Sequence, residues 1–143
     1  MKAIISIIMT LFILGGAPKQ QVERVDSIED CELTIYVLEF FVKTKRPISC
    51  QELKDKSSVS IKVRECELEL IEFEKYVSEA KITSDKEIIN PRVYGEFKEG
   101  SVVKHSFCLN PYGEIQFQNR LFVNSKITDL IFRYIPDYYK MYD

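Results

Sequence analysis

A chain of 143 residues, 45% hydrophobic and 29% charged, has the length to bury one sizeable apolar core but not two, and its 8 Tyr and 9 Phe supply bulky core material although Trp is absent. These proportions sit near globular averages and exclude a disordered chain. The formal charge is -2, with Lys and Arg scattered among acids, so the basic stripe on which nucleic-acid binding depends is missing and no nucleic-acid partner is expected.

Met1 and Lys2 make a minimal positive start, Ala3 to Leu14 is an almost unbroken apolar run, and the small residues Gly15, Gly16 and Ala17 follow. This is the grammar of a secretory signal peptide over residues 1–17, leaving residues 18–143 as a single globular domain. A spanning helix needs about 20 apolar residues, and Gly-Gly, Pro18 and Lys19 interrupt this run, so no stable membrane span is expected once the signal is cut. Cleavage after Ala17 would place the rigid ring of Pro18 first in the product, which leaves a nearby cut, or retention as an anchor, as alternatives. No Cys directly follows the apolar run to accept a lipid. The expected destination is outside the cytoplasm, periplasmic or extracellular.

From Asp26 the spacing of Ile28, Cys31, Ile35, Leu38 and Phe41 or Val42 predicts a helix over Ser27 to Thr44, capped by Asp26 or Ser27. Lys43, Lys45 and Arg46 then read as the cations that a helix C-terminus favours. Pro47 stops that helix, and Ser49 with Glu52 three residues on forms a capping box for a short helix through Lys56. Between Ser58 and Lys81 two patterns compete. Val59, Ile61 and Val63 alternate as a strand does, while Val59, Val63, Cys66, Leu70, Phe73 and Val77 keep a helical seam. Length and the run of Glu65, Glu67, Glu69, Glu72 and Glu74 favour helix, with the acids as its solvated face rather than a metal site. Asp30-Cys31-Glu32-Leu33 echoes Glu65-Cys66-Glu67-Leu68, as two related amphipathic helices would.

After Lys81 the grammar changes. Ile82 to Glu87 is a polar link, and Asn90-Pro91 signals a turn. Arg92 to Lys98, Ser101 to Leu109, Glu114 to Gln118 and Leu121 to Val123 read as strands, the first three separated by Lys98-Glu99-Gly100 and Asn110-Pro111-Tyr112-Gly113. Ile127, Leu130, Ile131, Tyr134 and Ile135 then predict a closing helix, capped by Asn124 or Ser125 and ended by Pro136. The expected fold is α+β: N-terminal helices packed on one face of an antiparallel meander sheet, with a C-terminal helix.

Cys31, Cys50, Cys66 and Cys108 are an even set in a chain expected to be exported, which allows two disulfides. An antiparallel helix pair would favour Cys50 with Cys66 and hence Cys31 with Cys108; buried free thiols are the plainer alternative. No C-x-x-C pair supports a zinc knuckle or a redox site, and no metal or cofactor is expected.

His105 is the only histidine, so any His-based acid–base chemistry must use it. Strand alternation turns Cys108 to the opposite face, which argues against a local Cys/His dyad. No G-x-S-x-G elbow, H-E-x-x-H pair, P-loop or dinucleotide fingerprint is present. Tyr134, Tyr138, Tyr139 and Tyr142 cluster with Phe132 and Ile135 around Pro136. Such rings either complete a core or present the amphipathic surface that suits recognition. The expectation is a non-enzymatic binding module whose partner is a protein, a peptide or a small apolar ligand, held by the concave sheet or the aromatic tail. The alternative is a small exported hydrolase built on His105 with distant acids.

Overall fold

The computed structural model describes residues 30–84 and 89–141. Along the chain lie β1 (Cys31–Val37), α1 (Cys50–Lys56), β2 (Val59–Arg64), α2 (Glu67–Glu79), β3 (Lys81–Ser84), β4 (Val93–Glu99), β5 (Val102–Leu109), β6 (Glu114–Phe117), β7 (Arg120–Val123), α3 (Ser125–Phe132) and α4 (Asp137–Lys140). The strands form one antiparallel sheet in the order β2-β1-β4-β5-β6-β7-β3. The expected mix of helix and antiparallel sheet is therefore present, and β4 to β7 are the meander. Residues 1–29, on which the signal peptide falls, lie outside the described residues.

The segment expected as the first helix is instead β1, an interior strand between the edge strand β2 and β4. Leu33, Ile35 and Val37 point to one face and are fully buried, while Thr34 and Tyr36 point to the other. Thr, Ile, Tyr and Val in a row suit a pleated surface covered on both sides, where apolar residues need not alternate cleanly with polar ones. The helical spacing was a by-product of that two-sided burial. The expected long helix after Ser58 also divides. In β2 the alternation wins, with Val59, Ile61 and Val63 half-buried against exposed Ser60, Lys62 and Arg64. Glu65, at φ 55°, breaks the chain direction, and α2 follows. The polar link holds β3, paired with β7 through Lys81 to Val123 and Ile82 to Phe122.

The helices divide between the two faces. α2 and α3 cover the face carrying Leu33, Ile35, Val93, Phe97, Phe107, Leu109 and Ile115, and add Leu70, Phe73, Ile127 and Ile131 to that core. α1 sets Leu53 into the opposite face with Leu38, Ile48, Tyr94, Cys108 and Leu121. Thus α1 and α2 do not share a face. The Ser49 to Glu52 capping box is formed as expected, and Asn124 caps α3 by accepting from the Lys126 amide while its own amide donates to the Tyr76 carbonyl at 3.1 Å.

Both disulfides form, but in the other pairing: Cys31 with Cys66, and Cys50 with Cys108, with Cα separations of 5.2 and 5.8 Å. The expectation of Cys50 with Cys66 rested on two antiparallel helices. With β1 a strand, Cys31 starts it and Cys66 lies just past the end of its neighbour β2, where the Glu65 amide donates to the Cys31 carbonyl. Cys50 opens α1 directly above Cys108 on β5. The two echoing tetrapeptides are therefore a strand start and a helix start joined by a disulfide.

Candidate functional site

Residues 38–47, between β1 and α1, carry no helix. Backbone hydrogen bonds fix this loop: the Leu38 amide donates to the Arg92 carbonyl at 2.9 Å and the Phe40 amide to the Tyr139 carbonyl at 3.0 Å. The buried Arg92 guanidinium holds it from below, donating to Val42 O, Pro91 O and Asn90 Oδ1 at 2.8 to 2.9 Å. Opposite stands the β5–β6 turn, where Asn110 Oδ1 accepts from the amides of Tyr112 and Glu114 and holds Tyr112 at the apex, 83% exposed. Between loop and turn opens a cleft of about 680 Å³ lined by Phe40, Phe41, Val42, Lys43, Thr44, Asn90, Arg92 and Tyr112.

The C-terminal tyrosines separate. Tyr138 is 64% exposed, and its ring meets Phe41 edge-on at 6.4 Å and Tyr139 at 5.4 Å, so it extends the aromatic rim of the cleft. Tyr139 is half-buried and packs on the core. Tyr134 turns toward α2, where its hydroxyl bonds Glu69 and its ring lies under Arg133. Burial first, and then the Glu69 carboxylate, raise its pKa above the ordinary phenol value. Tyr142 lies outside the described residues. Tyr134 and Tyr139 are thus half-buried against the core, and Tyr138 stands on the surface. The partners that sequence reasoning missed are Phe41, hidden within the expected helix, and Tyr112, whose place in an Asn-Pro-Tyr-Gly turn was the available signal of exposure.

His105 is half-buried on the face covered by α2, with Nε2 2.8 Å from Glu74 Oε1 and ring contacts to Phe73 and Phe117. Among the described residues no hydroxyl or thiol hydrogen-bonds to it, and Cys108 lies on the opposite face within its disulfide. A carboxylate beside an imidazole is an arrangement that orients the ring, and nucleophilic catalysis would need a hydroxyl or thiol beside it as well. A smaller hollow of about 220 Å³ on the α1 face is lined by neutral groups, among them Tyr94, Ser106, Gln116 and Asn119. Among the described residues, no group of three or more His, Cys, Asp or Glu is placed to hold a metal ion, and no helix is long and apolar enough to cross a membrane. The chain matches no family model, no curated protein and no solved structure.

Proposed function

We propose that this chain is an exported, non-enzymatic binding module, delivered to the periplasm or the extracellular space by residues 1–17 and recognising a protein or peptide through the aromatic cleft. The observation that carries this reading is the Phe41 and Tyr138 ring pair, 40% and 64% exposed beside a cleft rimmed by a third exposed ring, Tyr112. Aromatic rings presented to water at the mouth of a concavity are the usual anchors of recognition, because each offers a large apolar face with few rotamers to freeze. Two disulfides, with no span-length apolar helix among the described residues, are compatible with export.

The test is capture of partners from the exported fraction by wild type and by the Phe41→Ala/Tyr138→Ala variant. Loss of the captured species, with circular dichroism and both disulfides unchanged, is expected; identical capture by the two proteins would sink the reading. The hydrolase alternative rests on one observation, the Glu74 and His105 pair. It requires hydrolysis of model esters or peptides that His105→Gln abolishes.

A further inference from the structure

We infer that the partner segment taken by the aromatic cleft is acidic: a stretch of peptide whose Asp or Glu side chains pair with Lys43 and Lys45 while an aromatic or aliphatic side chain inserts beside Phe41. The inference rests on the binding reading above and adds the chemistry of the occupant.

Charge is what selects it. Lys43 and Lys45 are exposed on a loop, so no helix end accounts for them. Elsewhere Lys54 and Lys98 pair with Glu96, Lys62 with Glu32, Lys104 with Glu99 and Arg133 with Glu69. Arg64, Lys75, Lys81, Arg120 and Lys126 are scattered cations outside any such pair among the described residues, so what sets the loop lysines apart is their place at an aromatic cleft. Among the described residues no ion pair engages Lys43 or Lys45, and no carboxylate lines the cleft. Lys43 in the cleft lining and Lys45 two residues further along the same loop, both exposed and with no carboxylate in that lining, give the cleft a local positive field on a molecule of net negative charge. A basic or neutral segment gains nothing from that field. An acidic segment with an apolar anchor satisfies both halves, steered by charge and held by ring contact.

The decisive experiment incubates the exported, disulfide-intact protein with an array of random synthetic peptides. Two variants and one further condition are run beside it: Lys43→Glu/Lys45→Glu, Phe41→Ala/Tyr138→Ala, and wild type in about 0.5 M salt, where screening shortens the reach of surface charge to a few ångströms. The expected bound set is enriched in Asp and Glu around one aromatic or aliphatic position. Binding falls by about threefold or more per reversed lysine, the size of exposed ion pairs, and weakens in salt. A bound set without acidic enrichment, or binding indifferent to both lysine reversals, overturns the inference; if the ring substitutions still abolish binding, the aromatic reading survives it. Absence of peptide binding also overturns it, as does tighter binding of a heparin fragment at the same lysines, which would make the occupant a polyanionic glycan. The loop positions are exposed, and thermal melts of each variant verify folding.

Discussion

At Gly95 the sheet gives way to the core. A Cβ at this position would stand 2.1 Å from Cζ of Phe107 and 2.6 Å from both Cε atoms. A flexible side chain could retreat, but the Phe107 ring is fixed between Phe73, at a centroid distance of 4.9 Å, and Phe97, at 5.9 Å. Gly95→Ala is therefore expected to destabilise by about 1–3 kcal/mol through overpacking. The loss should appear as a lower denaturant midpoint with an unchanged slope, and Phe107→Leu in the same chain should recover part of it. A midpoint equal to wild type would mean that the ring can move. Nothing in the sequence marks Gly95, because the atoms it must avoid are 12 positions away. By contrast, the Ser49 and Glu52 box and the Asn124 cap were legible because cap and helix are neighbours in sequence. His105 could be singled out as the only histidine, yet its Glu74 partner lies 31 residues off.

At the scale of elements, the same divide separates what the sequence told from what it hid. β4 to β7 were readable, since short apolar runs punctuated by Gly, Pro and Asn carry their own turns. β1 and β2 were not: their strand identity comes from neighbours that bury both faces of one and pair with one side of the other. β3 exists only through its pairing with β7. α1 is the element most dependent on distant partners, being held by Leu53, by the Lys54 and Glu96 ion pair, and by the Cys50 to Cys108 bridge. That bridge is also the accessible one, for Cys50 is half-exposed while Cys31 and Cys66 are 1% and 0% exposed. Attack needs a thiolate to reach sulfur, so mild reductant should open Cys50 with Cys108 first and leave Cys31 with Cys66 intact. Differential alkylation and peptide mapping check the order. The bridge spans 58 residues, and its removal should lower stability by about 4 kcal/mol on the chain-entropy account. Simultaneous loss of both bridges would contradict the placement of α1 as a separately released element.

For the molecule as a whole, the link between α1 and the sheet makes stability depend on acid. Glu96 is 4% exposed on β4; its Oε1 accepts from Lys54 Nζ at 2.7 Å and Tyr94 OH at 2.9 Å, and Lys98 Nζ lies 3.3 Å from Oε2. Burial alone would push this carboxyl up, but Lys54, Tyr94 and Lys98 together hold it below the usual value. Glu32 is lowered as well, chiefly by the Thr34 hydroxyl, and Glu52 by Arg46. A carboxylate whose folded pKa is depressed stabilises the fold at any pH above its unfolded value, near about 4.3, and that stability drains away as pH falls through the lower folded value. The unfolding free energy is therefore expected to be level from about pH 7 to 5 and to fall below about pH 4. Glu52 is partly exposed and its Arg46 and Lys56 partners more so, so solvent screens its pairs and most of the slope should belong to Glu96, whose side chain is 5% exposed. Glu96→Gln should flatten the acid limb and remove about 1–3 kcal/mol at pH 7, since Lys54 then meets an amide in place of a charge. Glu52→Gln should leave the limb nearly as it was. Denaturant midpoints of the three proteins from pH 3 to 7 decide the matter, and an acid limb unchanged by Glu96→Gln would place the acid-sensitive contact elsewhere. Because Cys50 with Cys108 still tethers α1 when Glu96 is protonated, the acid transition should steepen once that bridge is reduced, joining the two dependences in one element.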